Sequence, residues 1–534
     1  MRTAVRRGRP RGPSAFASLV LASLAVCAGR AGAQSIDERT DTPARGMVRL
    51  TFDPQILTWD ETYGLSGAAT PLGAGLSGDT IGAANIPYVA TLQQQIRTAS
   101  GIPSFIASIG QGMLAVYREQ RITPGRAEVG VTNRFSIGLT VPLVRTATRT
   151  AYQIGPQGAN LGPNPLGTIA GASAQYGTFF SQFGGALTQL GDSLAGGHYG
   201  CPGSPACVQG QQLLSEGQAV YAALHGIIYG VGAPGSPGSP FVPRATSQAG
   251  AGIDSTVSGL ERSLTNYDVA GFTSPLLLAT DSIRDTAGVG TFESPLLTDP
   301  TYGFGYEPFR DTYRYGLGNI ELEGKYRVID RGGYRLALAA IARLPTATRD
   351  TTIEVIDAPI DELGGGFEGR VLQEITMGGL WLNIEVRAGT QDLGTRSRRV
   401  APFGSILVPS QATSTLNWQG GSYAELDVAP LYHLAPEVAA GFTLRYWTKA
   451  SDHYSYQSAT DSTALATNLG IPLPASLLDV GTSERSLSLG FAVSYIGPVV
   501  EGDFSVEKSL SGSGGLVPVA TVYQLVFRVT QKLF

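Results

Sequence analysis

The chain of 534 residues is poor in the residues from which soluble enzymes build their reactive sites. It has only 3 cysteines and 4 histidines, and 15% of its residues are charged. His198, His225, His433 and His453 lie far apart and show no metal-ligand spacing. No apolar run reaches the roughly 20 residues of a membrane-spanning helix. The sequence therefore predicts no metal, no cofactor and no helical membrane anchor.

Motifs for catalysis are also missing or incomplete. The stretch GVGAPG (230–235) matches the dinucleotide pattern G-x-G-x-x-G by letter, but SPGSP follows it where a helix is needed. Pro234 removes an amide from the turn that would hold a pyrophosphate. No serine lies in a nucleophile elbow. We therefore expect no enzyme, and the alternative that stays open is a barrel hydrolase in which His433 or His453 pairs with a nearby serine.

The first 33 residues have the pattern of a secretory signal peptide. Five arginines precede the apolar run AFASLVLASLAVCA, and Ala31-Gly32-Ala33 forms a small-residue exit before Gln34. Without residues 1–33, Lys plus Arg falls from 38 to 32 against 42 Asp plus Glu, so the mature charge is about −10. Such a charge argues against nucleic acid as a partner.

Two cysteines remain in the exported chain, Cys201 and Cys207, within YGCPGSPACVQG. In an oxidising compartment a close pair around Pro and Gly predicts a disulfide that closes a small loop. A metal site with His198 is the weaker alternative, because only two thiols are present.

Alternating apolar and polar residues recur through the rest of the chain. The last segment, VYQLVFRVTQKLF (522–534), and GMVRLTFDPQILTW (46–59) both have this period of two. Further segments pair as hairpins, which gives an all-β antiparallel fold of about twelve strands, with fourteen as the alternative count. Short turns and long loops fall on opposite sides, as in transmembrane β-barrels of bacterial outer membranes. Segment 46–59 is either the first strand or a stretch inside the lumen.

One parity of these strands carries apolar residues, and the other carries a balanced set of acids and bases. A sandwich interior could not bury so many charges, whereas a barrel lumen can hold them with water and cross-strand pairs. A secreted soluble β-protein remains a third alternative. The predicted lumen-lining residues are Glu321, Glu323, Lys325, Arg327, Arg335, Arg343, Glu368, Arg370, Glu385, Arg387, Glu425, Asp427, Arg445, Glu501, Asp503 and Arg528.

Two stretches resemble a known outer-membrane family. EVGVTNRFSIGLTVPLV (128–144) and YGLGNIELEGKYRVI (315–329) resemble the repeated strand segments of the family named for the meta-cleavage pathway of phenol degradation, with Asn319 in place of its usual Asp. That family is similar in kind to hydrocarbon and fatty-acid uptake barrels. Phe534 on an amphipathic last strand resembles the signal read by the outer-membrane assembly machinery, although Thr530 and Lys532 stand where apolar residues are usual.

Residues 145–314 are too many for a structureless loop. Apolar residues at helical spacing, including Phe179, Phe183, Leu187 and Leu190, predict a helical cap stapled by the disulfide. Those four residues either receive an apolar solute or form the core of the cap. A plug and a disordered glycine-rich loop are the alternatives for the whole insertion.

The sequence thus predicts four parts: a signal peptide (1–33), N-terminal strands with the first long loop (34–144), the extracellular insertion (145–314) and the main barrel strands (315–534). We expect an outer-membrane channel or transporter of a Gram-negative-type bacterium. Its partners would be membrane lipid, the assembly machinery and a small solute, with apolar or aromatic solutes as one class. The alternative is a structural or adhesive barrel whose long loops bind a partner. The oligomeric state is left open.

Overall fold

The computed structural model describes residues 38–230, 239–269, 271–272, 275–286, 289–290, 296–347, 351–356, 364–469 and 472–533. The predicted signal peptide (1–33) and Phe534 lie outside the described residues.

Within this part of the chain, twelve antiparallel strands close into a barrel. The first strand pairs with the last, with Met47 opposite Lys532, and also with the second, with Val48 opposite Val129. The strands are β1 (Met47–Phe52, continued by Gln55–Trp59), β2 (Gln111–Gly130), β3 (Phe135–Gly155), β4 (Thr312–Leu317, continued by Ile320–Arg331), β5 (Tyr334–Leu344), β6 (Gly366–Met377), β7 (Leu380–Gln391), β8 (Tyr423–Ala435), β9 (Val438–Lys449), β10 (Glu484–Ile496), β11 (Val500–Ser513) and β12 (Thr521–Lys532).

The alternation in the sequence becomes the two faces of the barrel wall. On β9 the side chain of Phe442 is 63% exposed on the outside, whereas Arg445 on the inner parity is 1% exposed. Apolar side chains cover the outer face of the other strands as well, including Leu50, Phe491 and Phe527. An exposed apolar belt around a closed barrel is stable only in lipid. The chain is therefore an outer-membrane β-barrel, and 46–59 is its first strand.

The connections are short at one end of the barrel and long at the other. The short turns are 131–134, 332–333, 378–379, 436–437 and 497–499. Gly332 and Gly333 have φ of 57° and 82°, the left-handed conformation that a two-residue hairpin turn requires. Short turns mark the periplasmic end of such barrels, so the long loops are extracellular.

The long loops carry their own secondary structure. Their helices are α1 (Pro87–Ser100), α2 (Pro165–Thr168), α3 (Ala172–Ala195), α4 (Pro205–Tyr229), α5 (Gln248–Thr265) and α6 (Ala459–Leu469). Short turns of 3-10 helix are Ala74–Leu76, His198–Gly200, Ser410–Ala412 and Ala475–Leu478. Small sheets pair Glu61–Tyr63 with Ala69–Pro71 and Val517–Pro518, Leu161–Pro163 with Phe241–Pro243, Asp285–Thr286 with Val289–Gly290, and Thr413–Gln419 with Leu393–Arg399 and His453–Tyr456.

Helices α2 to α5 form most of a cap over the extracellular end. The predicted disulfide between Cys201 and Cys207 is present and joins the start of α4 to the preceding turn. Ser204 caps α4, because its hydroxyl accepts a hydrogen bond from the amide of Cys207. Helix α1 comes from the first long loop and packs against α4 and α5, so that loop contributes to the same apolar core.

The predicted bounds of the insertion were wrong by several residues. Strand β3 continues to Gly155 rather than ending near residue 144, and Thr312 of β4 pairs with Thr148. The insertion between barrel strands is therefore 156–311. Helix α1 was not predicted, since 60–112 was assigned to a loop.

No helix in the described residues is both long enough and apolar enough to cross a bilayer.

The closed barrel should change the migration of the protein on a denaturing gel. A barrel without a free strand edge opens only when the whole ring of hydrogen bonds is broken. We expect unboiled protein in mild detergent to migrate differently from boiled protein, and to shift to the unfolded position on heating. Identical migration of the two samples would contradict a closed barrel.

Candidate functional site

The barrel encloses a cavity of about 750 Å³. It lies between extracellular loop residues such as Phe403 and Leu477 and the N-terminal segment, represented by Glu38. Its walls combine charged side chains with aromatic and aliphatic ones. Residues of the wall include Trp59, Arg118, Ile122, Arg126, Val144, Glu321, Glu323, Arg343, Glu368, Arg370, Arg387, Tyr423, Trp447 and Tyr454.

Residues 38–43 precede β1 and lie inside the barrel at its periplasmic end; we call them the N-terminal plug. Glu38 is its main anchor. The carboxylate accepts hydrogen bonds from Arg126 on β2 and from Nζ of Lys325 on β4, the latter at 2.8 Å. It also lies 3.6 Å from the guanidinium of Arg370 on β6.

The plug contacts the opposite wall through Arg39 and Thr40. The guanidinium of Arg39 is 3.2 Å from Glu501 on β11 and stacks 5.1 Å from the ring centre of Trp381 on β7. The amide of Thr40 donates to Glu374 on β6 at 2.9 Å. Contacts to strands on several sides of the ring mean that the plug crosses the lumen.

Above the plug, arginines and carboxylates alternate around the wall. Arg343 on β5 donates to Glu321 at 2.7 Å and to the hydroxyl of Tyr423 at 2.7 Å. That hydroxyl donates to Glu368 at 2.5 Å, and Glu368 also accepts from Arg370 at 2.5 Å. Each of these charges has an opposite partner, which is the condition for keeping charges at low exposure.

A second network fills the wall on β7, β8 and β9. Arg387 binds Glu425, and Arg445 binds Asp427 at 2.7 Å. Arg445 lies also 3.4 Å from Glu425 and 3.1 Å from Glu507 on β11. These side chains are buried and do not border the cavity, except for Arg387. Their role is to close the wall.

Aromatic and aliphatic side chains form part of the cavity wall. Tyr423 and Trp447 stack with ring centres 5.0 Å apart. Across the lumen, Leu57, Trp59, Ile122 and Val522 form an apolar cluster on the inner face of β1, β2 and β12. An interior with apolar faces and a few fixed polar groups is the usual composition of a small-molecule site.

The loop strand Leu393–Arg399 brings cations to the mouth of the cavity. Arg396 stacks on Trp418 at 3.7 Å, and Arg399 stacks on Tyr306 at 3.5 Å while donating to the carbonyl of Val408. Tyr454 lines the same mouth, and burial raises the pKa of its hydroxyl against the opposing effect of Arg398 and Arg396. The mouth therefore combines aromatic rings with arginine side chains.

All the predicted lumen residues lie on the inner parity of their strands. Glu321, Glu323, Arg343, Glu368, Arg370 and Arg387 border the cavity. Lys325, Glu385, Glu425, Asp427, Arg445, Glu501, Asp503 and Arg528 are in the surrounding ion-pair networks. Arg327 and Arg335 are near the periplasmic turns, where both lie within ion-pair distance of Asp330.

The four cap residues are not brought to a cavity. Phe179, Phe183 and Leu190 are fully buried and Leu187 nearly so, all within the core of the cap. Phe183 stacks on Phe272 with ring centres 4.4 Å apart. In this structure the four side chains form part of the core of the cap, which is one of the two roles left open by the sequence.

Sequence reasoning missed the aromatic wall, the loop arginines and the plug. Tyr423 and Trp447 share the inner parity of Glu425 and Arg445, so the alternation itself could have identified them. Phe403 and Arg396 could not be found in this way, because they reach the cavity through the return of a long loop. Glu38 lies in a segment where apolar and polar residues do not alternate, so its position in the lumen could not be predicted from this pattern.

The histidines form no reactive pair in the described residues. His453 Nδ1 lies 3.1 Å from Asp479, and His433 stacks on Trp381 at 5.9 Å. No group of three or more His, Cys, Asp or Glu side chains in the same part of the chain could hold a metal ion.

Comparison with solved structures finds outer-membrane channels. An outer-membrane channel from Pseudomonas putida F1 matches at 6% identity and a TM-score of 0.40, over 92% of this chain and 98% of that one. The Ralstonia pickettii toluene transporter TbuX matches at 11% identity and a TM-score of 0.27, over 95% of this chain and 96% of that one. The P. putida toluene transporter TodX matches at 10% identity and a TM-score of 0.25, over 92% of this chain and 91% of that one.

No protein-family model matches the chain, and comparison with curated proteins finds no match either. At these low identities and scores, the likeness to solved structures carries no argument about function. The fold is defined by the strand pairing of the chain itself.

Proposed function

We propose that the barrel is an outer-membrane channel that takes small solutes with an aromatic or apolar part from outside into its lumen. The observation that carries this proposal is the 750 Å³ cavity beneath the extracellular loops. It is large enough for a small ring compound, and a solid structural barrel would have no need of it.

The cavity wall offers two kinds of contact. The aromatic side chains of Trp59, Tyr423 and Trp447 offer contact area to an apolar solute, while Arg343 and Arg370 present polar groups to the same cavity. The N-terminal plug closes the route below them. Passage in this proposal requires the plug to leave its ion pairs, so uptake is coupled to a conformational step.

The main alternative is a structural or adhesive barrel. Its specific support is the same ion-pair network, because charges that pair across the lumen and around the plug hold the barrel shut. In that case the extracellular loops and the cap would bind a partner, and the cavity would bind no solute.

Uptake by proteoliposomes tests the proposal. We expect saturable entry of a small labelled aromatic such as toluene, and we expect Trp447→Ala to raise the half-saturation concentration by about fivefold or more. An aromatic contact contributes about 1 kcal/mol beyond the area that it buries. The rate of arabinose entry should not fall, because the substitution only widens the cavity.

Tyr446→Ala is the matched control, since Tyr446 is the adjacent residue of β9 and faces lipid. It should leave the half-saturation concentration unchanged. An inserted barrel that admits no solute in either form contradicts the proposal and favours the structural alternative.

A further inference from the structure

The outer wall carries a cluster of arginines on β2 and β3, separate from the lumen. Arg121, Arg145 and Arg149 lie on the same parity as Ile137, Leu139 and Leu143, which face lipid. Neighbouring residues of the other parity, such as Val144 and Thr148, are buried. The three guanidinium groups therefore project outward from the barrel.

Their height on the wall places them at the outer lipid boundary. Phe135 follows the periplasmic turn, and Arg145 is ten residues further along β3. Ten steps of about 3.3 Å on a strand tilted by about 40° rise roughly 25 Å, which is the height of the apolar belt. On β3, Leu143 is the last large aliphatic side chain of the outer face, and Arg145 is the next outward residue.

Two of the arginines lie side by side on neighbouring strands. Arg121 and Arg145 stand directly opposite each other in the register of β2 and β3, and like charges in that position repel. Glu119 is within 2.6 Å of Arg121. No carboxylate of the described residues is within ion-pair distance of Arg145 or Arg149.

Tyrosine rings hold two of these side chains in place. Arg145 lies 5.5 Å and 5.6 Å from the ring centres of Tyr313 and Tyr315 on β4, and Arg149 lies 6.0 Å from that of Tyr117 on β2. Tyr315 is also the cross-strand partner of Arg145. Such rings are characteristic of the lipid–water boundary and restrict the arginines to a shared patch.

Among the described residues, two acids lie beside the patch. Glu119 pairs with Arg121, and Asp311 accepts a hydrogen bond from the amide of Thr150. Three arginines against these two carboxylates leave the patch positive.

We propose that this outward patch binds the phosphate group of an outer-leaflet lipid. A phosphate between Arg121 and Arg145 would accept paired hydrogen bonds from planar guanidinium groups and would cancel their repulsion. The acyl chains would then lie against Leu143 and Leu139 below. A lipid fits better than a soluble anion, because the patch continues directly into the lipid-facing belt.

Native mass spectrometry of the folded full chain with bisphosphorylated lipid A tests this. The wild type should retain lipid A, and Arg121→Gln/Arg145→Gln/Arg149→Gln should bind it at least about tenfold more weakly, since one charge-assisted hydrogen bond is worth roughly that factor. Lipid A without phosphates should bind weakly to both proteins.

Arg485→Gln is the matched control, since Arg485 is an exposed, outward arginine on β10 away from the patch. It should bind lipid A like the wild type, and unboiled gel mobility confirms that each variant is folded. Equal binding by the triple variant overturns the proposal, as does equal binding of the lipid without phosphates. Displacement of the lipid by inorganic phosphate alone would also overturn it, because the site would then be one for free anions.

Discussion

Glu38→Gln should turn a barrel of low conductance into one that opens for long periods. The carboxylate of Glu38 is nearly enclosed and anchors the plug to Arg126, Lys325 and Arg370. Removal of one partner from such a buried network costs about 3 kcal/mol or more. That difference shifts the balance between closed and open states by more than about 100-fold. Single-channel recording in a planar bilayer measures the fraction of time that the channel is open.

Glu437→Gln controls for the loss of a negative charge at the periplasmic end, since Glu437 is exposed in a short turn outside the lumen. Its conductance should equal that of the wild type. If Glu38→Gln is folded by gel mobility and remains as silent as the wild type, the lumen is sealed by its wall and not by the plug. The structural alternative would then gain support.

Arg445→Met should be the most destabilising single substitution in the barrel wall. Arg445 is 1% exposed and lies near three carboxylates, those of Glu425, Asp427 and Glu507. Methionine fills a similar volume but removes the cation that the three acids share, and Asp427 loses its ion pair at 2.7 Å. We expect a loss of about 3–5 kcal/mol in the free energy of unfolding, measured by urea titration in lipid vesicles.

Arg335→Met is the control for this prediction. The side chain of Arg335 is half exposed at the periplasmic rim and lies 3.3 Å from Glu374 and 3.5 Å from Asp330. Ion pairs of that kind contribute at most about 1 kcal/mol. Addition of Asp427→Asn and Glu425→Gln to Arg445→Met should restore part of the stability. Similar losses at both arginines would mean that the inner network does not stabilise the wall.

The barrel could be predicted from sequence because a strand has a side-chain period of two. Lipid disfavours charge on the outer parity of the belt, so residues such as Glu425 and Arg445 point inward. The ends of β2 and β3 could not be predicted in this way. Both strands continue above the membrane, where residues such as Thr148 and Ala151 contact water or the cap on either face. Apolar and polar residues therefore no longer alternate there.

The candidate site was only half predictable for a related reason. Inward charges on strands follow from local alternation, but the cavity also depends on which loops return over the mouth. Phe403 and Arg396 take their positions from contacts far away in sequence, such as that of Arg396 with Trp418. The plug lacks alternation altogether, since its residues are placed by ion pairs with many strands.

The cap leaves the barrel after Gly155 and returns at Thr312, on strands that are direct neighbours in the ring. Its two ends are therefore held side by side by the barrel, whatever lies between them. The disulfide lies within the insertion, and its apolar core is completed by α1 of the first long loop. The insertion could therefore be exchanged together with that loop without a change in strand number, so the outer face of this protein can diverge while its barrel stays the same.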